Sequence, residues 1–300
     1  MTVTQLSKKL DDILKDIPDK SFDKFCIMED MGGITRENCL IHPENEVSED
    51  IAKKVISAAE KRAEGYPLQY ILGQWEFFGR QFKVGEGVLI PRPDTEVLVE
   101  EVLKRLSKSE KHSIIDLCSG SGCIAVTLAK ELEGSDVYAV ELSGDAFPYL
   151  AENVKRNGAN VKLLRGDVMN GAIMENFRDP EEPDEYINID CIVSNPPYLT
   201  EREMAELQKE VTFEPHKALY GGVDGLQFYR VIARLWSEVL AADGLMIFEI
   251  GSEQAEDVKN ILASCGFGNI FTANDATGAV RVIGGYKFES CLLYTSPSPR

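Results

Sequence analysis

The sequence predicts an α/β protein: a sheet of seven mostly parallel strands, preceded by a small helical amino-terminal domain and joined to it by a β-hairpin. Three observations carry this reading. Apolar residues recur at helical spacing before Gly65, and short aromatic and β-branched runs broken by glycines follow it. From Ser113 onward, short apolar runs alternate with amphipathic segments, the pattern of parallel strands linked by helices. The expected boundaries are 1–68 for the helical domain, 69–92 for the hairpin linker and 93–290 for the sheet domain.

In the helical part, Leu6, Leu10, Ile13, Leu14 and Ile17 share one face before Pro18. Phe22, Phe25, Ile27 and Met28 predict a second helix ending at Gly32-Gly33, and Ser48 is placed to cap a third that carries Ile51, Val55 and Ile56. None of these residues looks chemical, and the part reads as a lid or a partner-docking module. The runs Tyr70–Leu72, Trp75–Phe78, Gln81–Val84 and Gly87–Ile90 read as the hairpin. Pro91-Arg92-Pro93-Asp94-Thr95-Glu96 then starts a helix to about Leu106, with Thr95 or Asp94 as its cap.

Ile114–Leu117 is a strand, Cys118-Ser119-Gly120-Ser121-Gly122 a tight loop of small residues, and the stretch from Cys123 an amphipathic helix. Such a loop lets backbone approach a ligand without interference from Cβ atoms. It lacks a P-loop lysine and the GxGxxG spacing, which disfavours ATP and weakens the case for a dinucleotide. The strand Val137–Val140 ends in Glu141, an acid placed to accept the two hydroxyls of a ribose. The strand Val161–Leu164 leads to Asp167, which can accept from an adenine amino group. Taken singly, either acid reads as a solvated strand end. Together after a glycine loop they indicate an adenosine site.

Asn170–Asp184 is acidic and reads as an exposed loop. The apolar run Cys191-Ile192-Val193 is a buried strand stopped by Asn195-Pro196-Pro197-Tyr198, since proline cannot donate to a sheet ladder. Proline turns of this kind are common. At the carboxyl end of a strand, however, this one offers the Asn195 side-chain oxygen and the Pro196 carbonyl as acceptors for a planar NH2 group, with Tyr198 able to stack on it. The polar stretch to Gly225 is long enough to be expected to cover the site. A helix from Leu226, a strand Leu245–Ile250, a helix from Glu253 and two strands, Ile270–Ala273 and Val280–Tyr286, complete the sheet.

Composition bounds the function. The chain has 300 residues, 44% of them hydrophobic and 27% charged, as expected of a globular protein with a sizeable core. With 32 Lys+Arg against 50 Asp+Glu its formal charge is -18, which repels phosphate backbones and counts against duplex DNA or RNA as the main partner while leaving room for a protein partner with a basic surface. Seven scattered cysteines without a CxxC pair indicate reduced thiols, and three distant histidines offer no metal-ligand spacing, so no metal is expected. No apolar run spans a bilayer and the polar start does not resemble a signal peptide; the expectation is a cytoplasmic monomer with no membrane partner and no stably bound nucleic acid. Residues 291–300 resemble a translated sequencing-library adapter and are left out of the expected fold as a non-native tail.

The glycine loop, the two strand-tip acids and Asn195-Pro196-Pro197-Tyr198 together resemble a class I S-adenosylmethionine-dependent methyltransferase, whose sheet is Rossmann-like. Ile90–Glu96 and Phe213-Glu214-Pro215 narrow the resemblance to the release factor glutamine methyltransferases, the PrmC/HemK family, over almost the whole chain. The resemblance implies S-adenosyl-L-methionine as cofactor and S-adenosyl-L-homocysteine as product. The cofactor is then expected across Cys118, Ser119, Gly120, Ser121 and Gly122, with Glu141 on the ribose, Asp167 and Val168 beside adenine and Asn195 near the methionine end. Asn195, Pro196, Pro197 and Tyr198 are the implied catalytic turn, and the implied substrate is the glutamine of a Gly-Gly-Gln tripeptide in class 1 peptide chain release factors. Cys118 stands where the family often has glycine and Glu141 where aspartate is common. Two rivals remain open on the residues alone: an adenine N6 methyltransferase acting on DNA or RNA, since that target is also a planar NH2, and a non-catalytic protein that binds the same cofactor.

Overall fold

The computed structural model describes residues 1–288; the tail expected at 291–300 lies outside the described residues. The chain forms two units, one made of Met1–Ile90 with Glu206–His216, the other of Pro91–Ala205 with the chain from Lys217 on.

The first unit is built on helices Val3–Ile13, Lys20–Gly32, Arg36–Ile41 and Glu49–Ala63. Thr2, Asp19, Thr35 and Ser48 each accept a first-turn N–H, satisfying donors that a helix start leaves free. Leu6, Leu10, Leu14, Ile27, Met28, Val55 and Ala59 are fully buried and form its core. The helix Arg36–Ile41 was not anticipated, because its six residues bury none of their side chains and so carry no apolar period.

The expected hairpin is shorter than 69–92. Leu68–Leu72 is a short helix, and only Gln74–Phe77 (β1) and Arg80–Lys83 (β2) pair, antiparallel, across Phe78-Gly79, both at positive φ as a two-residue hairpin turn requires. Gly87–Ile90 makes no strand. It is held by side chains instead: the Tyr70 hydroxyl donates to the Val88 carbonyl (2.6 Å), and the Ile90 N–H donates to Glu214 Oε2 (3.0 Å). That last bond, the Arg62–Glu210 ion pair at 2.7 Å and the edge-to-face Tyr66 and Phe213 rings bind 206–216 to this unit. Arg62 also donates to the buried Asp23 at 2.6 Å.

The second unit holds a seven-stranded sheet in the order β5-β4-β3-β6-β7-β9-β8. Its strands are Ser113–Leu117 (β3), Asp136–Glu141 (β4), Val161–Arg165 (β5), Ile189–Ser194 (β6), Leu240–Glu249 (β7), Phe267–Asn274 (β8) and Val280–Lys287 (β9). β3 to β7 run parallel, and β9 is antiparallel to both its neighbours. The helices Pro93–Arg105, Cys123–Glu131 and Phe147–Arg156 pack together, as do Gln227–Leu235 and Ala255–Ser264. The chain runs outward from β3 to β5 and then returns to the other side of β3 with β6. Ligands bind at such a reversal, outside the carboxyl ends of the strands.

One stretch read as exposed loop is partly core, and only its end, residues 180–184, is exposed throughout as expected. Within Asn170–Asp184, Gly171–Phe177 is a 3-10 turn that buries Ile173, Met174 and Phe177, the last ringed by Tyr138 and Trp236 at 5.2 and 5.8 Å. The acidic average of the segment hid three apolar residues on one side of a turn. The stretch after Tyr198 is likewise not one loop. It contains the short helices Glu201–Ala205 and His216–Leu219 and is divided between the two units.

Candidate active site at the carboxyl edge of the sheet

Leu117 pairs with Ser194, so Cys118 and Asn195 leave the sheet side by side at the reversal. The Ser194 hydroxyl donates to the Leu117 carbonyl at 2.6 Å and locks the two strand ends together. In the loop, Cys118, Gly120 and Gly122 have φ of 62°, 55° and 80°. Two of these positions show why glycine is there. A Cβ on Gly122 would lie 2.4 Å from Leu150 Cδ1, whereas a Cβ on Gly120 would meet nothing within 4 Å, so the backbone there borders open space. The loop is braced by the Ser119 N–H donating to the Val140 carbonyl (3.1 Å), by the Ser119 hydroxyl donating to the Asp116 carbonyl (2.8 Å) and by the Asn153 amide donating to the Ser121 carbonyl (2.9 Å).

Glu141 is buried at the tip of β4 and accepts two backbone N–H groups, from Gly120 at 2.7 Å and from Ser143 at 2.6 Å. The Glu141 carbonyl accepts from the Gly166 N–H at 3.1 Å, which brings the turn after β5 alongside. In that turn Asp167 accepts from the Met169 N–H (2.9 Å), and Val168 is buried with its carbonyl bonded to the Trp236 indole N–H (2.9 Å). The structure therefore gathers Cys118–Gly122, Glu141, Asp167 and Val168 at one sheet edge. Burial, with Glu141, Asp116 and Asp167 nearby, pushes the Cys118 thiol well above its ordinary range.

Sequence reasoning missed Asp116. It lies in the middle of the β3 register, fully buried, with Oδ2 accepting from the Ala125 N–H at 3.2 Å and Oδ1 lacking a partner among the described residues. Burial pushes its carboxyl up to about 8, and the neighbouring Glu141 adds to this. The signal was an acid inside the otherwise apolar run Ile114-Ile115-Asp116-Leu117.

Pro196 and Pro197 are buried, Asn195 and Tyr198 partly so. The Tyr198 carbonyl accepts from the Gln254 amide at 3.0 Å, and a Cβ on Gly221 would lie 2.6 Å from the Pro197 carbonyl, so the turn is packed from behind. Burial, with Glu249 nearby, raises the Tyr198 phenol above its usual range. Two further residues were missed here. Asn195 Nδ2 donates to Thr95 Oγ1 at 3.2 Å, and Thr95 in turn donates to Glu249 Oε2 at 2.6 Å. Neither Thr95 nor Asp94 is therefore the helix cap that the sequence suggests: Arg92 occupies the cap position without a side-chain capping bond, Pro93 opens the helix, and Thr95 turns to the sheet. Glu249, the last residue of β7, is buried, and its carboxyl is pushed up to about 7, chiefly by that burial.

The residues fit an adenosyl cofactor. Gly120 borders open space, Glu141 keeps lone pairs beyond its two backbone bonds, and the buried Asp116 Oδ1 has no hydrogen-bond partner among the described residues. Among the described residues no group of three or more His, Cys, Asp or Glu is placed to hold a metal, and no helix is long and apolar enough to cross a membrane.

Comparison with solved structures shows the same fold at low identity. A crystal structure of a methyltransferase from Pyrococcus furiosus superposes with a TM-score of 0.52 at 18% identity, covering 71% of this chain and 91% of that one. The hMettl16 catalytic domain in complex with MAT2A 3'UTR hairpin 6 gives 0.53 at 17% identity, over 78% of this chain and 83% of that one. The family models described as PrmC N-terminal domain and methyltransferase small domain match residues 5–73 and 93–219. Fold and site define the class: an S-adenosylmethionine-dependent methyltransferase. Release factor glutamine methyltransferases from Geobacter sulfurreducens (44% identical, 75% of each chain), Thermodesulfovibrio yellowstonii (40%, 81% of this chain and 85% of that one) and Bacillus subtilis (37%, 77% and 78%) are among its relatives. The chain belongs to the release factor glutamine methyltransferase family.

Proposed function

We propose that this chain methylates the side-chain amide nitrogen of the glutamine in the Gly-Gly-Gln tripeptide of class 1 peptide chain release factors, as a cytoplasmic monomer with no stably bound nucleic acid. In this reading the loop Cys118–Gly122 lies along the cofactor, Glu141 accepts the ribose hydroxyls, Asp167 and Val168 flank adenine, and Asn195 lies near the methionine end. The helical amino-terminal unit docks the protein substrate, and the net charge of -18 favours a basic partner surface. S-adenosyl-L-methionine supplies an electrophilic methyl on a sulfonium that departs as a neutral thioether.

The observation that carries the reading is the state of the Asn195 amide. Its NH2 end is committed to Thr95, which leaves its carbonyl oxygen as an acceptor beside the Pro196-Pro197 turn. A carboxamide nitrogen is a poor nucleophile because its lone pair is delocalised. Acceptors at Asn195 Oδ1 and the Pro196 carbonyl favour its hydrogens leaving the amide plane as the nitrogen pyramidalises. No base is needed beforehand, since the extra proton can leave after methyl transfer.

The test is methyl transfer to a release factor, to the same factor with Gln→Glu in the tripeptide, and to adenine-containing DNA and RNA. Only the first is expected to be methylated. Asn195→Ala should lower turnover by at least ~100-fold, the size of effect seen for one oxyanion-type partner, with a smaller effect on cofactor affinity. Methylation of adenine in preference to the release factor would overturn the substrate, and undiminished turnover by Asn195→Ala would overturn the role of that residue.

A further inference from the structure

We propose that Thr95 and Glu249 are positioning residues that fix the orientation of the Asn195 amide, holding its NH2 inward and its carbonyl oxygen toward the group to be methylated. The inference deepens the reading above and rests on it for the identity of the substrate. Asn195 is the last polar residue before the two prolines, and its side chain can take two orientations related by a half-turn. Only one of them presents an acceptor to an incoming NH2, so something must choose between them.

The choice follows from counting protons. A threonine hydroxyl has a single hydrogen, and that of Thr95 goes to Glu249 Oε2 at 2.6 Å; an ionised carboxylate can only accept. Thr95 Oγ1 then faces Asn195 with lone pairs alone, and only the NH2 end of the amide can meet them, which it does at 3.2 Å. A reversed amide would set its oxygen against both the Thr95 oxygen and the Glu249 carboxylate. Thr95 and Glu249 are each 2% exposed, so water cannot enter to relieve such a clash of acceptors.

The fold places the three residues rigidly. Phe248 pairs with Ser194, so Glu249 and Asn195 emerge from neighbouring strands. Glu249 is tied further by its carbonyl, which accepts from the Tyr229 hydroxyl at 3.0 Å, while Thr95 comes from the first turn of the helix Pro93–Arg105. The charged and titratable groups around the carboxylate are Asp94, on the same helix as Thr95, Arg281 from β9 and the Tyr198 phenol. Arg281 lies 3.4 Å from Asp94 and 3.0 Å from Asp275.

The same three side chains admit one alternative polarity. If Glu249 takes up a proton it becomes the donor to Thr95, the Thr95 hydrogen turns to Asn195, and the amide must rotate to accept it. That state offers an NH2 where an acceptor is required. Turnover is therefore expected to fall as the pH drops through the range in which this carboxyl titrates, about 7.

Three variants test the inference. Thr95→Val keeps shape and loses the hydroxyl. It should lower kcat by roughly 10-fold or more while the KM for the release factor and the calorimetric Kd for the cofactor stay within about threefold. Thr95→Ser should restore kcat. With 15N-asparagine labelling, the side-chain NH2 signal of Asn195, assigned by its loss in Asn195→Ala, should move in Thr95→Val and return in Thr95→Ser. Glu249→Gln should remove the acid limb of the pH–kcat profile. A wild-type kcat with an unmoved NH2 signal in Thr95→Val would overturn the proposal, as would a serine variant as impaired as the valine one. If Thr95→Val folds poorly, the serine variant and the pH profile of Glu249→Gln decide, an unchanged acid limb counting against it. A wild-type enzyme that leaves the release factor unmethylated would instead overturn the reading of the substrate; the NH2 signal needs no turnover and still reports the orientation.

Discussion

Glu141 holds the backbone of Gly120: its Oε2 accepts the Gly120 N–H at 2.7 Å, while Oε1 accepts from Ser143 at 2.6 Å. One carboxylate thus shapes the glycine loop and still has lone pairs to offer a ribose. Glu141→Ala is expected to weaken S-adenosylmethionine binding by roughly 1–3 kcal/mol, the cost of losing a charged acceptor, in a protein that remains folded. Calorimetry giving wild-type affinity in the folded variant would remove Glu141 from the ribose.

Cys118 sits at φ 62°, in a conformation that a side chain with a Cβ resists. Glycine removes that resistance and adds chain entropy to the unfolded state, so the two effects partly cancel. Cys118→Gly is expected to leave stability unchanged or raise it by about 1 kcal/mol, read as a shift in urea midpoint without a change in slope. A clear loss of stability would mean that packing of the thiol outweighs the backbone strain.

The buried Asp116 carboxyl, pushed up from its ordinary 3.8 to about 8, binds its proton more tightly in the folded chain than in the unfolded one. The folded state therefore carries the extra proton between these two values. The stability this gives is fully present below 3.8 and is lost as the pH rises through about 8. Urea midpoints of the ligand-free protein are expected to fall as the pH rises from about 4 to about 8 and to level off above it, and Asp116→Asn should flatten that fall. An unchanged slope in the variant would assign the pH dependence elsewhere.

Gly122→Ala combines an unfavourable φ of 80° with a Cβ placed 2.4 Å from Leu150 Cδ1. The expected cost is ~1–3 kcal/mol. Because Leu150 is the obstacle, the effects of Gly122→Ala and Leu150→Ala should be less than additive in the double variant. Strict additivity in thermal or chemical unfolding would show that the backbone conformation alone sets the cost.

The parts of the site that were legible in the sequence are those where chemistry lies next to a break in structure. Cys118–Gly122 follows an apolar run directly, Glu141 closes one, and Asn195-Pro196-Pro197 stops one. Thr95 and Glu249 were not legible as site residues because their partners are remote: 100 residues separate Thr95 from Asn195 and 154 separate it from Glu249. Thr95 also suits a helix cap, and although Pro93 suits the first helical position, the local sequence does not choose between the two starts. The short run at Leu68–Leu72 reads equally as strand or helix, since five apolar and polar residues fit both periods. Phe177 was hidden by acidic neighbours that remain exposed while it turns inward.

The segment Glu206–His216 belongs to the amino-terminal unit although β3 to β6 are made before it. The order of synthesis therefore does not match the order of assembly. When Ile90 leaves the ribosome, Arg62 has Asp23 but not Glu210, and the Ile90 N–H still waits for Glu214. Domains made first generally fold first, yet this one must remain incomplete until more than a hundred further residues have been added. Nascent chains ending at 205 are accordingly expected to be cut within residues 1–90 faster than chains extending past 216.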